Sequence, residues 1–144
     1  MGRNVKVSAV LVVLMFSLVL LQADFVTAGT NKPVKVDANC PKKNDGKFTI
    51  SVHPFLVEVA RGDGVVWTLK TDNTDDQEIR ITAKDPEAWI YTDTTVKGNK
   101  EVVMTEMVEG APDGTYDYKI TVYCGADSEP IVLDPRIKVG GGGG

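Results

Sequence analysis

Few side chains in this sequence could bind a transition metal, carry a redox change or move a proton near neutral pH. They are two cysteines, Cys40 and Cys124, and one histidine, His53. Thiolates and imidazoles are the soft and borderline ligands of transition-metal sites, and a reactive cysteine or serine needs a neighbouring base, most often histidine. A single histidine removes most nucleophile, base and orienting-acid schemes. The cysteines leave three readings: a disulfide, free thiols, or a metal or redox thiolate at Cys124. An even count favours the disulfide in an oxidising compartment. His53 precedes Pro54 and reads as a partly exposed strand residue, with a neutral-pH switch as the alternative.

Asp72, Asp75, Asp76 and Glu78 crowd one turn. Calcium takes oxygen ligands gathered in a loop, but this spacing fits no established calcium loop and the required glycine is absent. The cluster reads as a solvated turn that could present a negative face to a basic partner. Gly62-Asp63-Gly64 is too short for a phosphate-binding loop. Trp89, Ile90 and Tyr91 follow Asp85-Pro86-Glu87. They form either an exposed aromatic patch for a partner or a second small core under a long loop. On the first alternative, Trp89 and Tyr91 are the candidate partner surface.

The elements that must position these groups are strands. Val34–Asp37, Phe48–Val52 with Leu56–Val59, Val65–Leu69, Glu78–Thr82, Val102–Met104, Tyr116–Val122 and Ile137–Val139 alternate or run apolar at period two, with many β-branched and aromatic residues. Turn chemistry separates them at Asn44-Asp45-Gly46, Arg61 to Gly64, Asp72 to Asp76, Lys97-Gly98-Asn99 and Pro112-Asp113-Gly114. Trp67, Tyr116, Tyr118 and Phe48 are core candidates. About seven or eight short strands at this spacing predict an all-β, antiparallel sandwich.

The chain has 144 residues, enough for one domain. Arg3 and Lys6, the apolar run Val7–Leu21 and the small residues Val26-Thr27-Ala28 make residues 1–28 a secretory leader cut before Gly29. The run falls short of the roughly 20 apolar residues that span a bilayer. The domain is expected over residues 29–139, with a flexible glycine tail over 140–144. The net charge is −4, and the leader holds two basic residues and one acid, so the exported part is one unit more negative. That charge argues against nucleic-acid partners and against anionic membranes. The expected location is periplasmic or secreted.

Gly114-Thr115-Tyr116-Asp117-Tyr118, running to Cys124, resembles the last strands of plastocyanin-like cupredoxins. The order of the other parts is similar too: a short first strand, a long strand kinked at Pro54, the Gly62-Asp63 turn, and a third strand carrying Trp67 into the core. The resemblance implies a Greek-key sandwich, and it makes Arg61-Gly62-Asp63 a strand-connecting turn and not an adhesion motif. It also implies a copper site whose thiolate falls on Cys124. The other ligand positions would fall near Gln77, Asp127 and Leu133, where two imidazoles and a thioether are needed and none is present. The same resemblance puts the Cys40 loop and the end of the Cys124 strand at one end of the barrel, which favours a Cys40–Cys124 disulfide. The expectation is therefore an exported, non-catalytic binding or accessory domain with no cofactor, acting on a protein partner. A copper electron-transfer protein with an atypical ligand set is the alternative.

The leader is directly testable. Mass spectrometry of exported protein should find Gly29 at the amino terminus, and an intact Met1 terminus in a membrane fraction would refute the cleavage.

Overall fold

Strict alternation is what turns these segments into half-buried strands. In β1 (Asn31–Asn39), Val34, Val36 and Ala38 are buried while Lys35, Asp37 and Asn39 face water. The computed structural model describes residues 29–40, 48–72, 77–125 and 128–140. These contain ten strands and no helix: β1, β2 (Thr49–His53), β3 (Leu56–Val59), β4 (Gly64–Thr71), β5 (Glu78–Ala83), β6 (Thr95–Gly98), β7 (Glu101–Met104), β8 (Gly114–Tyr123), β9 (Ile131–Leu133) and β10 (Arg136–Val139). One sheet has the order β2-β1-β4-β7. The other has the order β3-β10-β8-β5-β6, with β9 also on β8. The two inner faces share one core, in which Val36, Trp67, Ile79, Ile81, Tyr118, Ile120 and Ile137 are fully buried.

Two prolines divide what would otherwise be longer strands. β2 pairs antiparallel with β1, and β3, past Pro54, pairs parallel with β10 in the other sheet. Proline offers no N–H to a ladder, so the chain leaves one sheet there and joins the other. The His53–Pro54 peptide is cis. β9 and β10 lie along β8 in one continuous register, broken at Asp134-Pro135. Counting each divided pair as one strand leaves eight, as the sequence led one to expect.

Orientation departs from the expected antiparallel order. β1 runs parallel to β4, and β3 parallel to β10. Side-chain period is the same in both ladder types, so the pattern in the sequence carries no information on direction. β6 and β9 were also not foreseen; both are short, at 4 and 3 residues.

An aromatic cluster ties the sheets across the core. Trp67 on β4 donates its indole N–H to the Tyr118 hydroxyl on β8 at 3.0 Å, and the rings meet edge to face at 5.6 Å. Trp89 packs on both Tyr118 and Tyr91, with centroids 6.2 and 6.0 Å away. Trp89 and Tyr91 are only 6% and 2% exposed, which corrects the partner-surface expectation: the segment after β5 closes over the core. The hydrogen bonds of their polar ends explain why they can be buried, since Trp89 Nε1 reaches the Asp93 carbonyl and the Tyr91 hydroxyl the Asp63 carbonyl, each at 3.0 Å. Phe48 is corrected in the other direction. It is exposed because it lies past Asn39–Thr49, the last pair of the β1–β2 ladder.

Burial pushes the Tyr118 phenol up to about 12, only partly offset by the Trp67 hydrogen bond, so it stays a neutral acceptor. Tyr118→Phe keeps the ring and strands a buried indole N–H. The expected loss of stability in denaturant unfolding is about 1–3 kcal/mol.

Candidate functional site at the Cys40–Cys124 end

β1 ends at Asn39 in one sheet and β8 at Tyr123 in the other, and the next residue of each is a cysteine. Their strands lie on opposite sides of one core, so the two cysteines face each other at its end. Cys40 and Cys124 form a disulfide, with Cα atoms 5.4 Å apart, a separation ordinary for such bridges. Beyond it the chain turns back through Ser128. The Ser128 hydroxyl accepts the Cys124 N–H and donates to the Gly125 carbonyl, both at 2.9 Å. Asp127 lies outside the described residues, as do Asn73, Asp75 and Asp76.

The other positions implied by the cupredoxin resemblance are only partly gathered here. The β5–β8 ladder pairs Glu78 with Tyr123, so Gln77 stands one step further toward Cys124. Its side-chain nitrogen is buried with no hydrogen-bond partner among the described residues. Leu133 pairs with Ile120, four residues or roughly 13 Å back along β8 from Cys124, and packs on the core. His53 pairs with Lys35, five residues or roughly 17 Å along β1 from Cys40. Copper does not fit this set. The thiolate position is used by a sulfur–sulfur bond, Gln77 and Leu133 offer neither an imidazole nor a thioether, and the histidine is too distant. Among the described residues no group of three or more His, Cys, Asp or Glu side chains converges.

At the opposite end sits Asp63, the acid of the Arg61-Gly62-Asp63 turn, only 6% exposed. Its carboxylate accepts the Thr30 N–H at 2.8 Å, the Thr30 hydroxyl at 3.1 Å and the Ala60 N–H at 3.0 Å, and Lys32 Nζ lies 3.5 Å away. Burial pushes this carboxyl up, but the hydrogen bonds from Ala60 and Thr30, with Lys32, outweigh it and hold it below the usual range. Gly62 has a φ of 87°, which suits glycine alone, and Arg61 pairs with Asp113 at 2.9 Å. The triplet is thus a structural turn. In the acidic cluster, Glu78 is taken up by Arg80 at 2.6 Å and Lys97 at 4.0 Å.

Sequence reasoning missed a cleft of about 270 Å³ on the outer face of the first sheet, lined by Asp37, Asn39, Thr49, Ser51, Lys70 and Asp72. Its signal was present as the outward half of the alternation in β1, β2 and β4. Only the side-by-side placement of these strands, which alternation does not reveal, brings those residues together.

No protein-family model matches the chain, and no curated protein matches it. Among solved structures it is similar to a multicopper oxidase, at 10% identity and a TM-score of 0.45, over 78% of this chain and 45% of that one. It is similar to auracyanin A, a "blue" copper protein from the green thermophilic photosynthetic bacterium Chloroflexus aurantiacus, at 17% identity and a TM-score of 0.36, over 76% and 100%. It is also similar to rusticyanin from Thiobacillus ferrooxidans, at 16% identity and a TM-score of 0.35, over 78% and 79%. The chain spans less than half the length of the multicopper oxidase. These neighbours are cupredoxins, the family that the sequence resembles.

The bridge closes a chain separation of 84 residues. Cutting it frees a long loop in the unfolded state, so the reduced or Cys40→Ala/Cys124→Ala protein should lose about 2–4 kcal/mol in denaturant unfolding.

Proposed function

We propose that this chain is an exported, non-catalytic binding or accessory domain of cupredoxin-like build that works without a copper centre and presents its loops to a protein partner. The observation that carries the proposal is the commitment of Cys124 to Cys40 in a disulfide. A thiolate held in a disulfide is no longer a copper ligand, and the chain has only one histidine, set on another part of β1's ladder. Export is supported by the leader pattern and by a bond of a kind that persists in oxidising compartments. A non-catalytic role is supported by the engagement of the Ser128 hydroxyl in its own turn and by the place of the single histidine, opposite Lys35 and roughly 17 Å along β1 from Cys40. The wider activities of the copper proteins similar to it are not carried over, since fold does not entail function.

Titration of the oxidised protein with Cu(II), followed by visible absorption and elemental analysis, decides between this reading and the electron-transfer alternative. The expected outcome is no thiolate charge-transfer band and no stoichiometric copper. An intense visible band that disappears in Cys124→Ser would establish the alternative.

A further inference from the structure

Gly29, the residue after Val26-Thr27-Ala28, is wedged against the turn that holds Asp63. A Cβ at Gly29 would fall 1.6 Å from the Gly62 carbonyl oxygen and 2.9 Å from the Asp63 nitrogen, so no other residue fits without moving the turn. Thr30 is fixed on both its backbone groups: its N–H goes to Asp63 Oδ1 at 2.8 Å, and its carbonyl accepts the Gly64 N–H at 3.1 Å. The Gly29 nitrogen is one residue back from the Thr30 nitrogen, which by standard backbone dimensions puts it within about 7 Å of the Asp63 carboxylate.

We propose that Asp63 is the receptor for the amino terminus that cleavage between Ala28 and Gly29 creates, so that processing itself locks the start of β1 onto the turn between β3 and β4. The inference rests on the export reading above. The covalent step is peptide hydrolysis by a signal-type peptidase. Water adds across the Ala28–Gly29 bond, the Ala28 carboxylate departs with the leader, and the Gly29 nitrogen takes up a proton to become an ammonium. Before the cut this nitrogen is a neutral amide. After it, a full positive charge stands within about 7 Å of a buried carboxylate.

The carboxylate's acceptor sites are taken by Thr30, Ala60 and Lys32, so the new charge acts on it through space, inside a largely buried turn where that attraction is weakly screened. Its one cationic neighbour among the described residues, Lys32, is 40% exposed and 3.5 Å away, so solvent screens it. Arg61, in the same turn, is drawn off to Asp113. Tyr91, packed from the segment after β5, donates its hydroxyl to the Asp63 backbone carbonyl and stays neutral because burial raises its pKa. The other donors, from Ala60 and Thr30, are uncharged.

The pH window follows from the two partners. An α-amino group ordinarily titrates at about 7.7–8.0, and a carboxylate beside it raises that value in the folded protein. Its contribution is therefore full below the unfolded value and lost as pH rises through the folded one. Asp63 is held below its ordinary value, so its contribution is present above that value and lost as pH falls through the folded one. The lock holds between these limits.

The test uses the chain from Gly29 onward, which contains all ten strands, released by a site-specific protease and compared with the same protein acetylated at Gly29. At pH 6.5 the free amine should raise the folding constant about tenfold, or about 1.4 kcal/mol. The gain should fade by pH 10 and be absent in Asp63→Asn. Should Asp63→Asn fail to fold, an NMR titration of the Gly29 amine in the unmutated protein reads the same contact, with an expected pKa about one unit above the ordinary value. Equal stability of free and acetylated proteins at both pH values overturns the proposal, as does an amine that titrates at its ordinary value. Terminal sequencing of exported protein stands apart from these: a terminus other than Gly29 overturns the processing step whatever the amine does. Neither result depends on the copper titration.

Discussion

The covalent bond between Cys40 and Cys124 joins the two sheets at the end where both cysteine-bearing strands stop. It is the covalent tie between them, across a chain separation of 84 residues. In a sandwich, each sheet is held by its own ladders, but the pair is held only by side-chain packing and by whatever crosses between the sheets. Where the resembled fold uses a metal to gather residues from several strand ends, this chain uses one bond between β1 and β8. A sulfur bonded to sulfur is not available as a copper thiolate, so the bond acts here as a clamp between the two sheets.

β1 shows how the rest is organised around that bond. It lies between β2 and β4, and it is pinned at both ends: at its start through Thr30 and Lys32 to the buried Asp63, and past its finish through Cys40 to Cys124. Between the pins, Val34, Val36 and Ala38 feed the core. The aromatic cluster of Trp67, Tyr118, Trp89 and Tyr91 fills the space between the sheets, and its polar atoms are satisfied within it or at its edge. Tyr91 links this cluster to the Asp63 turn through the Asp63 carbonyl. The polar end and the core are therefore one connected structure.

Much of this was legible in the sequence, for reasons that can be stated. Strands with clean alternation, such as Tyr116–Val122 and Val34–Asp37, announced both their existence and their buried face. A kink at Pro54 was expected from the resemblance, but the change of sheet there was not, since nothing in the alternation tells which neighbour β3 pairs with. The bridged cysteines were suggested by an even count and placed by the resemblance to cupredoxins. Strand direction was not legible, since parallel and antiparallel ladders share one side-chain period. β9 was not legible either, because three residues, Ile131–Leu133, are too few for a pattern. Trp89 and Tyr91 were ambiguous for a different reason. An aromatic residue between strands is equally suited to a surface and to a core, and only the position of Asp93 and Asp63 as hydrogen-bond acceptors decides it. Asp63 looked like a turn residue, and its role as a buried anchor depends on Thr30 and Lys32, more than thirty residues earlier.

The end of the sandwich where β1 and β8 stop is closed by the Cys40–Cys124 disulfide. The most direct measurement is a count of titratable thiols in protein freshly isolated from the exporting host, unfolded without reductant. No free thiol is expected. Two free thiols would contradict the disulfide-closed end and return Cys124 to the list of available ligands.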